Sequence, residues 1–152
     1  MNDRYLFRGK RLDNGEWVVG YLFADTAPCS MKLEGKCVCR HDGSSANIYA
    51  WDDCLHEYCA HDVDSATIGQ CTGLRDENET LIFEGDVVSR KSPDGREVNY
   101  LIKWSDFRGH FLGDNPDEIY DVAPGVFSST EIIGNVHDNP ELLEGANDDG
   151  KY

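Results

Sequence analysis

The sequence predicts a mainly β protein: a small curled sheet or SH3-like barrel with Gly-rich hairpins, an irregular insertion and a short C-terminal helix. Three observations carry that prediction. Two apolar runs flank Asp13-Asn14-Gly15, and two more flank Ser92-Pro93-Asp94-Gly95. Hydrophobic residues make up 39% of the 152 residues and aromatics 11%, which is too apolar for a disordered chain and enough for one core. A single domain over residues 1–152 is therefore expected, with a variable insertion at about 24–63 and a frayed tail at about 146–152.

From Tyr5 to Phe23 the chain reads YLFRGKRL, DNG, EWVVGYLF. Asn14-Gly15 supplies the positive φ that a tight hairpin requires. In the second arm Trp17, Val19, Tyr21 and Phe23 alternate, so one strand face carries a continuous apolar stripe, which is expected to be core. Gly9 and Gly20 lie inside the arms, where a missing side chain marks a bulge or a close backbone approach.

Residues 24–63 are the least regular. Turns are expected at Ala27-Pro28, Glu34-Gly35-Lys36 and Asp42-Gly43-Ser44-Ser45, with a short strand from Lys36 to Arg40. Asp52 to Cys59 fits the start of a short helix, capped by Asp52 or Asp53, with Leu55, Tyr58 and Cys59 on one face. Thr67–Thr72 predicts a strand, Gly73–Asn78 a polar turn and Leu81–Phe83 renewed apolar character. At Glu84-Gly85-Asp86 a corner lets the chain leave one sheet and enter the next at Val87.

After the Ser92–Gly95 turn, a strand runs through Val98, Tyr100, Ile102 and Trp104, which places Trp104 on the core side. Glu131–Val136 is a final strand. Asn139-Pro140-Glu141 then suits the N-cap, first and second positions of a short helix that Gly145 ends.

FRGKRLDNGEWVVGYLF, TIGQCTGLRDENETLIFEGDVV and EIIGNVHDNPELLE resemble, in content and order, three blocks of the YopX family, and they reach from Phe7 to Glu144. The resemblance implies a mostly β, barrel-like domain of phage or prophage origin working in the cytoplasm of a bacterial host cell. It implies no reaction and transfers no catalytic residue. Cys29–His61 and Asp106–Thr130 are the least family-like segments, so features particular to this chain belong there.

The net charge of −15 argues against binding a phosphate backbone, which depends on Lys and Arg displacing counterions. The charge is uneven, however. Arg4, Arg8, Lys10 and Arg11 meet only Asp3 at the start, whereas from Asp114 onward the only cation is Lys151. A basic edge formed by those four residues is the nucleic-acid alternative. No apolar run approaches the ~18 residues of a membrane span, and Met1–Lys10 lacks the pattern of an export signal, so no membrane role is expected.

Six cysteines in a reducing compartment are free thiols, which raises zinc as an alternative cofactor through Cys37, Cys39, Cys54, Cys59 and His61, with His41 and His56 nearby. Spacing argues against it. Neighbours two apart on one strand face are separated by ~6.5–7 Å at their roots, whereas ligands on one zinc sit under ~4 Å apart. The chain also lacks a C-x-x-C knuckle, G-x-S-x-G, H-E-x-x-H, a Walker loop and G-x-G-x-x-G. The expected function is non-enzymatic: an accessory protein that binds a host or phage protein, with no cofactor and with homo-oligomerisation left open. Phe107, Arg108 and His110 are the candidate partner-binding residues, because they combine an aromatic anchor with a cation. An acidic mimic of nucleic acid is a subclass that would require carboxylates aligned on one face.

Overall fold

The computed structural model describes residues 3–23, 32–33, 36–37 and 45–144, and these are mainly β. The strands are β1 (Phe7–Lys10), β2 (Trp17–Phe23), β3 (Lys32–Leu33), β4 (Lys36–Cys37), β5 (Ser45–Asp52), β6 (Glu57–Asp64), β7 (Gly69–Arg75), β8 (Leu81–Phe83), β9 (Asp86–Lys91), β10 (Glu97–Ser105), β11 (His110–Asp114), β12 (Ile119–Asp121) and β13 (Thr130–Asn135). One helical turn, α1 (Glu141–Glu144), follows. The expected turns at 27–28 and 42–45, most of the 34–40 segment and the tail from 146 lie outside the described residues. The chain divides into two compact units, Tyr5–Gly69 and Met1–Arg4 with Gln70–Tyr152.

In the first unit β1 and β2 form the expected hairpin, with Lys10 opposite Trp17 and Gly15 at φ 73°. β2 continues antiparallel into β5 and β5 into β6. The four strands curl until the chain just beyond β1 meets β6: Arg11 bridges Val63, and Leu12 N donates to Asp62 O at 3.0 Å.

The apolar stripe of β2 corrects the sequence expectation. Val19, Tyr21 and Phe23 are exposed and Trp17 is only half-buried, while Gly20 faces inward. A Cβ on Gly20 would lie 2.1 Å from the carbonyl oxygen of Tyr49, and one on Gly9 would lie 3.0 Å from Val63 Cβ. The curl leaves too little depth for rings on the concave side, so Ile48, Ala50 and Val63 fill it and the bulky stripe turns out.

Asp52–Cys59 is likewise a hairpin, not a helix. Asp52 does cap locally, its Oδ1 accepting from Cys54 N at 2.8 Å and Leu55 N at 3.0 Å. His56 then adopts φ 54° and Glu57 returns opposite Asp52. One hydrogen-bonded turn cannot offset the cost of helix nucleation when a full-length strand partner is available.

The second unit begins with the β7–β8 hairpin, closed by Asp76. This carboxylate is buried; Oδ1 accepts from Asn78 N and Thr80 N, both at 2.9 Å, and Oδ2 from Ile132 N at 3.1 Å. At Glu84–Gly85 the chain leaves the β8 pairing and enters another sheet through β9, as the Gly-Asp corner predicted. Gly85 supplies φ 87°, and the buried Asp86 carboxylate accepts from Phe83 N at 2.7 Å. The second sheet runs β12-β11-β10-β9-β13 in open order, with a bulge between Ile132 and Gly134. Ile82, Val88, Tyr100, Ile102 and Phe127 form the core of this unit. Asn139 does not cap α1 as expected; its Oδ1 accepts instead from Asn135 N at 3.4 Å.

Candidate functional site

The β10–β11 hairpin projects the candidate partner-binding residues. Trp104 pairs with Phe111 and Ser105 with His110, leaving Asp106–Gly109 as the turn. Gly109, at φ 69°, donates its N–H to Ser105 O at 2.7 Å, and Arg108 N donates to Ser105 Oγ at 3.2 Å. Those bonds fix the backbone so that Phe107 points away from every neighbour, 97% exposed.

Trp104 is 43% exposed rather than core. It shares a strand face with Tyr100 and Ile102, but β10 has run past the core by that point. Its ring packs edge-on against Phe111 at 5.1 Å, and Nε1 donates to Asp106 Oδ1 at 3.0 Å.

Arg108 and His110 converge on one acceptor. Arg108 Nη1 lies 3.0 Å and His110 Nε2 2.8 Å from Asp121 Oδ1 on β12. Hydrogen bonds from His110 first, then Arg108, hold the Asp121 carboxyl below the usual range. His110 Nδ1 lies 3.1 Å from Arg108 O, so both ring nitrogens face partners other than the Ser105 hydroxyl. A Ser–His–Asp arrangement is thus present in residue type but not in hydrogen bonding. Nothing in the sequence distinguishes Asp121 from the other acids; its role appears only when β12 pairs with β11.

A cleft of about 920 Å³ lies elsewhere in the same unit. Val98, Leu101, Ile119 and Leu142 contribute apolar surface, and Asp114 and Glu118 contribute carboxylates. Tyr100 donates its hydroxyl to Glu118, and Lys103 pairs with Asp114.

The four residues of the basic edge are divided between the two units, with Arg8, Lys10 and Arg11 in the first. Arg4 belongs to the second unit, where Gln70 Nε2 donates to its carbonyl at 3.0 Å. Arg11 pairs with Asp13. Arg8 and Lys10 lie over the ring of Trp17, at 4.7 and 5.6 Å from its centroid.

Of the zinc candidates, Cys39, His41 and the Cys37 side chain lie outside the described residues. Cys54 is exposed in the β5–β6 turn, and Cys59 and His61 lie opposite Ala50 and Ile48. Among the described residues no group of three or more His, Cys, Asp or Glu side chains could hold a metal ion. No helix among them is long and apolar enough to cross a membrane.

These features define a mainly β protein. The chain matches the family model described as YopX protein over residues 7–144, and it belongs to the YopX family. It is also similar to a solved structure, the crystal structure of protein EF1440 from Enterococcus faecalis, at 25% identity over 90% of this chain and 96% of that one, with a TM-score of 0.49. No curated protein matches.

Proposed function

We propose that this chain is a non-enzymatic accessory protein of phage or prophage origin that binds a protein partner in the bacterial cytoplasm through the β10–β11 hairpin tip. One observation carries the reading: a phenylalanine 97% exposed at the end of a hydrogen-bonded hairpin. Leaving that ring in water forgoes ~1.5–3 kcal/mol of transfer free energy, which burial in a partner's pocket recovers. Arg108 beside it is the second residue type favoured at interface hot spots, and its bond to Asp121 holds it in place before binding. The net charge of −15 steers a cationic partner. In the same proposal the second unit is a curled, SH3-like support for the tip, its curvature supplied by the bulge at Ile132/Gly134.

The test is affinity capture from bacterial cells with the wild-type chain, Phe107→Ala and Phe23→Ala. A protein retained by wild type and Phe23→Ala and lost at least tenfold with Phe107→Ala supports the reading. Equal retention by all three, after the Phe107→Ala chain is shown to melt like wild type, removes it.

A further inference from the structure

Among the described residues, the outward face of the first unit gathers exposed aromatic side chains. Directly opposed residues of an antiparallel pair share a face, so the registers assign its members. Arg8 pairs with Val19, Lys10 with Trp17, Tyr21 with Tyr49 and Trp51 with Tyr58. Tyr21, Phe23, Tyr49, Trp51 and Tyr58 are all exposed. Their rings sit close together: Trp51–Tyr58 at 5.3 Å, Phe23–Tyr49 at 5.9 Å and Tyr21–Tyr58 at 6.5 Å between centroids. With Trp17 at its edge, the face spreads six aromatic residues over three strands.

Charge is the second observation. In a chain with 29 acids, β1, β2 and β5 direct no carboxylate to this face, and β1 brings Arg8 and Lys10 onto the rim beside Trp17. β6 contributes two carboxylates, Asp62 and Asp64, at the end away from Trp51 and Tyr58; the Arg11–Val63 bridge sets them beside Leu12 and Lys10, so Arg8 is the cation farther from them.

We propose that this face is a stacking platform for single-stranded nucleic acid, with bases on the rings of Tyr49, Trp51 and Tyr58 and phosphates at Arg8 and Lys10. Aromatic rings accept any base on its π-face, and their contribution does not depend on a high density of cations, so a globally acidic chain can still supply it. Two phosphate contacts predict a shallow salt dependence, a log–log slope of about −1.4 for single strands. A duplex is disfavoured, because its base faces are already stacked on one another. The platform is independent of the hairpin tip, which lies in the other unit.

The experiment is fluorescence anisotropy of the full chain with a labelled oligothymidylate of about 12 nucleotides at ~50 mM salt. Saturable binding is expected, with no binding to the matching duplex. Trp51→Ala and Tyr58→Ala should each weaken it tenfold or more while leaving the melting curve in place. Lys10→Gln should flatten the salt slope, and Phe107→Ala should bind like wild type. The proposal is overturned by absence of saturation at ~100 μM protein, or by both ring variants binding as wild type does. It is also overturned if sedimentation shows self-association that Trp51→Ala abolishes while no oligonucleotide binds, since the face would then join two copies of the chain.

Discussion

The two units solve the same packing problem in opposite ways. In the second, the core itself takes aromatic rings: Tyr100 and Phe127 are buried with Ile82, Val88 and Ile102, while Trp104 and Phe107 stand at the hairpin end. In the first, the rings of β2, β5 and β6 go outside, and aliphatic residues and glycines line the interior. Both sheets show period-2 alternation, so alternation sets which residues share a face and not which face is inside. The deciding quantity is the depth the backbone leaves. In the first unit the curl brings β1, β2, β5 and β6 together at Gly9, Gly20, Ile48 and Val63, whereas the second unit, with Phe127 entering from outside the strands, has room for a phenyl ring.

A matched pair of substitutions breaks that comparison most directly. Phe127, 2% exposed, should cost about 3–5 kcal/mol on replacement by alanine. Phe23, 58% exposed, should cost less than about 1 kcal/mol. Urea unfolding of the two variants measures both, and equal costs would mean that the outward rings of the first unit carry stability after all.

The converse experiment adds a methyl group where the first unit has no space. Gly20→Ala places a carbon 2.1 Å from a backbone oxygen that cannot rotate away, so β2 and β5 must separate. A loss of about 3 kcal/mol or more is expected in thermal or urea unfolding. Gly15→Ala, with nothing within 4 Å of its new carbon, carries only the strain of its positive φ and separates conformation from crowding.

A third test sharpens what holds the second unit's turns. Asp76→Ala leaves three amides, those of Asn78, Thr80 and Ile132, without their acceptor. A loss of about 2–3 kcal/mol is expected, and Asp76→Asn, which keeps an acceptor oxygen, should recover part of it. If both variants lose the same amount, the carboxylate's charge rather than its geometry is what the turn requires.

The hairpins at Asn14-Gly15 and Pro93-Asp94-Gly95 and the sheet switch at Glu84-Gly85-Asp86 were readable because their signals are local: glycine at positive φ and an acid that reaches neighbouring amides. The facing of β2 was not, because it depends on Tyr49, far along the chain. Asp52 illustrates the boundary between the two. Its capping bonds were readable, but the fate of the chain after one turn was set by pairing of Trp51 with Tyr58. At the hairpin tip, Phe107, Arg108 and His110 were legible as a cluster, and Asp121, which organises two of them, was not.

The smallest expected effect concerns the phenol that the second unit buries. Burial first, and then donation of its hydroxyl to the Glu118 carboxylate, push the Tyr100 pKa well above the ordinary tyrosine value. The native state therefore keeps a proton that the unfolded chain gives up near pH ~10. Because the folded form binds more protons in that range, this contribution to stability is complete below about pH 10 and is lost as pH rises beyond it. Tyr100→Phe removes the titrating group while keeping the ring, so the urea midpoint should fall less steeply for the variant than for wild type between about pH 9 and pH 11. Identical slopes for wild type and Tyr100→Phe would show that the alkaline loss arises elsewhere, and that the interior of the second unit does not depend on a protonated phenol.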